Sequence, residues 1–446
     1  MDGKLMDWIE RDEKALGSSM KIRLFPLVAA EARGNRIIDV QGKDYVDFSA
    51  NWAVANTGYS HPKIVKAVSD QMAKNSFTSF TTVISEPTVE LAEKLIEKAP
   101  GNFSKKVWFG LSGSDANDCI AKLVPLATGR PRLISYFGSY HGQTMGSLSL
   151  SGHTAQAKFI GGGNITKIPY PYCYRCPFDK DSRDCECFCL SFLEKCIFTS
   201  VSPPEDTAAI VVEAIQCDGG SVVPPDNYLG MLRKICDNNG IYLVFDEVKI
   251  GIGRTGKFFG FEHFGIEADA IVFGKPIASG MPLSGVVGRA EILDAVVAGH
   301  LFTTAGNPAS TAAGLATLDV IEEEELMTNA RVIGNYMLDK LKEMKSRYSL
   351  IGDVRGKGLV MGVELVKDRA TKEPASRETA KVCYRAFQKG LIIFYVGLHS
   401  NVLEFTPPLT LTREEADEGL AKLEEALDDV SQGRVKDAEV ARFAGW

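Results

Sequence analysis

The 446-residue sequence has no run of about 20 apolar residues, the length a membrane-spanning helix needs. It has no excess of positive charge either. The 50 Lys and Arg stand against 57 Asp and Glu, and a net charge of −7 over this length gives no electrostatic footing on nucleic acid or an anionic membrane. Low-complexity tracts, a collagen-like period and internal repeats are all missing. The opening MDGKLMDWIERDEKALG is acidic and lacks the apolar stretch of an export signal, which predicts a cytoplasmic protein. In that setting the ten cysteines read as reduced thiols or metal ligands before they read as five disulfides.

What is present is a globular composition: 45% hydrophobic, 24% charged, and 42 glycines spread along the chain. At about 150 residues per domain, two to three domains are expected. From about residue 62 to 300, amphipathic patterns (KIVKAVSDQMAK, TVELAEKLIEKA, NYLGMLRKICDNNG) alternate with short apolar runs (KVWFG, RLISYF, AAIVVEAI, IYLVFDEV, AIVFG, SGVVGR). That alternation predicts an α/β fold with a large, mixed and mostly parallel sheet covered on both faces. Residues 36–52 read as a β-hairpin delivering Trp52 to a loop. Beyond about residue 312 one long helix, the strands GDVRG, LVMGVELV, LIIFYVG and VLEFTPPL, and a final acidic helix predict an α+β unit. The expected division is therefore 1–60 as a segment joining the small domain, 61–311 as the large domain, and 312–446 as the smaller C-terminal domain.

Polar clusters fall directly after the apolar runs, where open α/β sheets gather their ligands. Lys275, in VFGKPIASG, follows a strand in a shielded position, and desolvation lowers an amine pKa enough to make it a Schiff-base nucleophile. Asp246 ends the strand YLVFD, where an unpaired carboxylate is costly and a protonated pyridine nitrogen would be a fitting partner. Ser112, Gly113 and Ser114 open a helix in LSGSDAND and suit a phosphate. Tyr140 and His141 place an aromatic face at another strand end, suited to stacking on a planar heterocycle.

Phosphate loop, stacking aromatic, ring acid and lysine, in that order, resemble the class III aminotransferase family of fold-type-I pyridoxal 5'-phosphate enzymes over essentially the whole chain. By that resemblance Lys275 carries the cofactor, Asp246 meets the pyridine nitrogen, Val248 covers the opposite ring face, and Gln216 neighbours the ring hydroxyl. Ser112, Gly113 and Ser114 match the phosphate loop, beside Tyr140 and His141. Thr303, with Thr304 next to it, matches the threonine that reaches the phosphate of a neighbouring subunit, which implies a homodimer or a dimer of dimers.

One segment departs from the aminotransferase pattern. Where family members carry Arg in a segment like NVLRFxPPL, this chain reads NVLEFTPPL, with Glu404 in place of the carboxylate-binding fork. The usual acidic partner of that Arg survives as Asp218 in QCDGG. Two acids in place of an Arg–acid pair disfavour a substrate carboxylate and suit a neutral lactam or amide. The pattern is most similar to the α-amino-ε-caprolactam racemase branch, through KIRLFPL, SANWAVAN, DEVKIGIGRTG, YVGLHSNVLEFTPPLT and the ending FAGW.

The resulting expectation is a racemase of small-molecule amines in which Lys275 removes the α-proton. Asp218, with a raised pKa, returns a proton to the other face, assisted by Tyr140, while Trp52 walls the pocket and Glu404 accepts an amide N–H. The alternatives are a racemase or epimerase of free amino acids, an ω-type aminotransferase, and a non-catalytic protein on a retired scaffold. Cys173, Cys176, Cys185, Cys187 and Cys189 form a Cys-rich insert that suits either a structural metal or, in the preferred reading, free thiols.

Overall fold

A computed structural model describes residues 3–154 and 164–443. Its centre is a seven-stranded sheet in the order Lys105–Gly110, Ser284–Arg289, Ala270–Phe273, Tyr242–Asp246, Thr207–Val212, Arg132–Tyr136 and Ile165–Ile168. Only Ser284–Arg289 runs antiparallel to its neighbours, so the sheet is mixed and mostly parallel. The inner strands are buried along their length, as in Ala270–Phe273 and Thr207–Val212, because helices cover both faces. The helix Gly113–Thr128 follows the first strand and Tyr228–Asn239 precedes Tyr242–Asp246. The strand Ile165–Ile168 carries no strong apolar run and escapes sequence reasoning.

Two smaller sheets complete the architecture. Ala29–Arg33, Arg36–Asp39 and Asp44–Asp47 form an antiparallel ribbon that Leu391–Ile392 joins in parallel, so the N-terminal segment and the C-terminal part share one sheet. Ile351–Lys357, Val360–Asp368, Val402–Phe405 and Phe394–Val396 form the other, with Glu373–Pro374 on its flank. The run LIIFYVG, expected as one strand, is thus two short strands serving two sheets. The long helix expected after residue 311 is also two, Pro308–Glu323 and Leu326–Arg347. Its break falls in the like-charged run Glu322–Glu325, where Glu325 takes a left-handed φ of 51°.

The hairpin ends in an unusual turn. Ala50, Asn51, Trp52 and Ala53 all have positive φ (42°, 47°, 65° and 64°) although none is glycine. Left-handed backbone costs L-residues about 1–2 kcal/mol each, so the turn persists only because its surroundings fix it. Among the described residues no helix is long and apolar enough to cross a membrane. Of the quoted ending FAGW, the residues after Phe443 lie outside the described part of the chain.

Candidate active site

At the carboxyl ends of the central strands lies a cavity of about 340 Å³, a volume suited to a small cofactor with its substrate. Ser112, Gly113, Ser114, Tyr140, His141, Asp218, Asp246, Val248 and Lys275 all line it. They reach it from five different strand ends.

One end is a cradle for an anion. Ser112 caps the helix Gly113–Thr128, and Asp115 holds the backbone N–H groups of Leu111 and Ser112 at 2.8 and 2.9 Å. The turn must approach closely: a Cβ on Gly113 would stand 2.7 Å from Val248 Cγ1, and one on Gly142 2.5 Å from Ser114 Oγ. Ser114 Oγ also accepts the Gln143 N–H at 3.1 Å.

Behind the cavity Asp246 is held rigidly. Its Oδ2 accepts from Asn117 Nδ2 at 2.8 Å and lies 2.7 Å from His141 Nδ1, and its Oδ1 accepts the Val248 N–H at 3.0 Å. His141 is therefore a support beneath the carboxylate, with a side chain shielded completely from solvent. Asn117, one turn into the capped helix, was missed in the sequence reading. Its spacing from Gly113, whose carbonyl it also meets, was the available signal. Lys275 opens a short 3-10 turn at a strained φ of 32°. Burial, then the nearby Lys249 charge, hold its amine below the ordinary lysine range. Its Nζ lies 6.0 Å from the Tyr140 ring centroid. Burial, then Asp218, push the Tyr140 hydroxyl up.

At the opposite end stands the residue that sequence reasoning overlooked. Lys249, in DEVKIG, is buried with its Nζ 2.8 Å from Asp218 Oδ1 and 2.8 Å from Glu404 Oε1. The expected pair of unmatched acids is in fact an acid–ammonium–acid cluster. This also reverses an expectation about Asp218. Burial alone would raise its pKa, but Lys249 and Lys275 outweigh burial and hold the carboxyl below its usual range. The raised carboxyl is Glu404, through burial.

Other placements differ from expectation too. Gln216 does not line the cavity: its Nε2 donates to the Phe137 carbonyl at 3.0 Å, and its side chain wedges beside Gly138, locking the QCDGG turn. Glu213 lines the cavity in its place, buried, with Oε1 accepting the Cys217 N–H at 3.3 Å. Burial, then Asp246 and Asp218, push its carboxyl up. Trp52 lies outside the lining, with its ring centroid 5.2 Å from Lys249 Nζ. Thr303 and Thr304 occupy an exposed turn away from this cavity, where the Thr303 carbonyl accepts from Ser79 Oγ at 3.1 Å. Cys173, Cys176, Cys185, Cys187 and Cys189 are free and line a separate cavity of about 200 Å³. Among the described residues no three His, Cys, Asp or Glu side chains gather closely enough to hold a metal ion.

The donor set fits pyridoxal 5'-phosphate. A glycine cradle at a helix start suits an anion, a carboxylate fixed by Asn117 and His141 suits a ring nitrogen, and a buried amine held below the ordinary lysine range suits an aldehyde. An α/β fold with these groups at its strand ends is that of a cofactor enzyme acting on amines. The aminotransferase class-III family model matches residues 18–427, and the chain belongs to that family. It is 43% identical to the leucine/methionine racemase of Thermococcus litoralis, over 98% of this chain and 99% of that one. It is 42% identical to the isoleucine 2-epimerase of Lentilactobacillus buchneri, over 98% of each. Among solved structures it is similar to a Bacillus anthracis aminotransferase, with a TM-score of 0.88 and 31% identity over 96% of this chain and 99% of that one.

Proposed function

We propose that the protein is a pyridoxal-phosphate racemase that inverts the α-carbon of an α-amino lactam or amino acid amide. The observation that carries this reading is the buried Asp218–Lys249–Glu404 cluster, in which the one cation is matched by two acids. No arginine is among the described residues that line the cavity. Two arginines nearby, Arg254 buried and Arg355 partly buried, are committed elsewhere. Arg355 bonds the Gly220 carbonyl, Asp353, Glu364 and Tyr172, and Arg254 bonds Asn56 and the Pro407 carbonyl. A substrate carboxylate would meet no free positive partner, whereas a neutral amide adds no charge to the cluster.

The cofactor, when bound, supplies an electron sink for the charge developing at Cα. Ser112, Gly113 and Ser114 would hold its phosphate, and Asp246 would keep its ring nitrogen protonated. Lys275, whose amine burial and Lys249 hold below the ordinary lysine range, would take the Cα proton at Nζ. Tyr140 keeps its proton and sits beside Asp218, so this pair serves as the second proton site. The hydroxyl would donate, with Lys249 offsetting the charge of the nearby Asp218 carboxylate. Glu404, expected to accept an amide N–H itself, does not line the cavity and acts on the substrate end only through Lys249, whose ammonium it shares with Asp218.

A second reading, a racemase of free amino acids, is favoured by one feature: Lys249 is a cation on the cavity wall, as a carboxylate-binding group would be. The leucine, methionine and isoleucine in the relatives' names agree with that reading. A chiral assay in deuterated water with amino lactams, amino acid amides and free amino acids decides between them. Inversion with deuterium uptake at Cα confined to neutral-ended amines is the expected result. Preference for free amino acids establishes the second reading. Amino transfer to pyruvate or 2-oxoglutarate at the turnover rate, without inversion, refutes both.

A further inference from the structure

The left-handed turn Ala50–Ala53 is braced on every side. Buried Asp47 accepts from Ser49 N at 2.7 Å, from Ser49 Oγ at 2.6 Å and from the Tyr59 hydroxyl at 2.5 Å. Asn51 donates through Nδ2 to Tyr59 Oη at 2.6 Å and through its backbone to Ser49 Oγ at 3.0 Å. Thr406 Oγ1 donates to the Ser49 carbonyl at 2.9 Å, tying the turn to the chain just beyond Glu404. Strained backbone held this firmly marks a segment whose geometry is used.

What the turn places is Trp52, with its ring centroid 5.2 Å from Lys249 Nζ and 4.5 Å from the Phe394 ring. We propose that Trp52 is a positioning residue for Lys249: its indole face is the third wall of a cage whose other walls are the Asp218 and Glu404 carboxylates. A cation against an indole face is attracted by the ring quadrupole, more so once water is excluded. The cage keeps Lys249 charged and pinned between its two acids. The titratable groups within electrostatic reach of Lys249 are Asp218, Cys217 and Glu213 from one segment, Glu404 from the adjacent sheet, Lys275, Tyr140 and His153. Their protonation in the resting enzyme is therefore set partly by how well Trp52 holds the ammonium. None of this depends on which amine the pocket accepts.

The test uses the holoenzyme without substrate and three variants: Trp52→Phe, which keeps an aromatic face; Trp52→Leu, which removes it; and Tyr59→Phe, which removes the hydrogen-bond hub of the turn without touching the cavity wall. Two quantities are read: the rate at which acetic anhydride labels Lys249, by peptide mapping, and the pH midpoint of the visible cofactor band. Trp52→Leu is expected to speed labelling about tenfold and move the midpoint by about one pH unit. Trp52→Phe stays within about twofold of the parent, and Tyr59→Phe moves in the direction of Trp52→Leu by a smaller amount. Parental labelling and midpoint in Trp52→Leu overturn the proposal, whatever happens to KM, since that result leaves Trp52 no hold on Lys249. If Trp52→Leu does not accumulate, unchanged labelling in Tyr59→Phe overturns it. Both readouts precede substrate, so a wrong assignment of the reaction leaves them intact.

Discussion

Lys249 and Glu404 form a buried ion pair, Nζ to Oε1 2.8 Å, in which the ammonium is aligned to donate to Asp218 and leaves both Glu404 oxygens without a hydrogen bond among the described residues. Burial weighs most on Glu404 and the facing Asp218 adds to it, whereas at Asp218 the Lys249 and Lys275 charges outweigh burial. That asymmetry explains why two carboxylates sharing one cation diverge, Asp218 held low and Glu404 pushed up.

Removing the shared cation should be severe. Lys249→Met leaves two buried carboxylates facing each other, and breaking a buried pair costs about 3–5 kcal/mol. A large fall in Tm is expected by calorimetry, with much of it recovered when Glu404→Gln is added.

Glu404→Arg is expected to lower turnover of lactams and amides and to raise that of free amino acids, because a guanidinium supplies the missing carboxylate fork. Chiral chromatography of both substrate classes measures it. Unchanged lactam and amide turnover would show that Glu404 has no role in choosing the substrate.

Support beneath Asp246 should appear in cofactor affinity. His141→Ala and Asn117→Ala each remove a bond to a charged group, worth about 1.5–3 kcal/mol, so cofactor Kd should rise about 10- to 100-fold in each. Titration of the apoenzyme, followed by absorbance, reads this without substrate.

The two acids contribute to stability with opposite pH signs. Asp218 has a depressed folded pKa, so its contribution is present above the unfolded value of about 3.9 and lost as pH falls through the lower folded value. Glu404 has a raised folded pKa, so its contribution is full below about 4.3 and lost as pH rises through the folded value. In Tm measured against pH, Asp218→Asn should lose stability above the acid limb, and Glu404→Gln should flatten the decline on its alkaline side.

The five insert thiols are free in the structure, with no ligand group gathered for a metal among the described residues. Purified protein should contain substoichiometric zinc, and the unfolded chain should titrate as ten thiols without reduction. A stoichiometric metal by elemental analysis would contradict this.

The sequence by itself determined the alternation of strands and helices and most of one cavity wall: Ser112, Gly113, Ser114, Tyr140, Asp246 and Lys275, with Val248 marked by the family resemblance. These residues sit directly after apolar runs, so burial pattern and turn chemistry, both local, place them at strand ends. Only the tertiary structure decided which charged groups meet at the opposite end. Lys249 lies two residues past Val248 and reads as one more polar residue of a loop. Its partners come from a different turn and a different sheet, and the convergence of those elements makes it the shared cation of Asp218 and Glu404. The same holds for Gln216, turned into its own loop by the close approach of Gly138, and for the left-handed turn of Trp52, stabilised by bonds from Tyr59 and Thr406 that no local propensity encodes. Pairing of buried charge is a property of which chain segments meet, and one-dimensional pattern carries no record of that meeting.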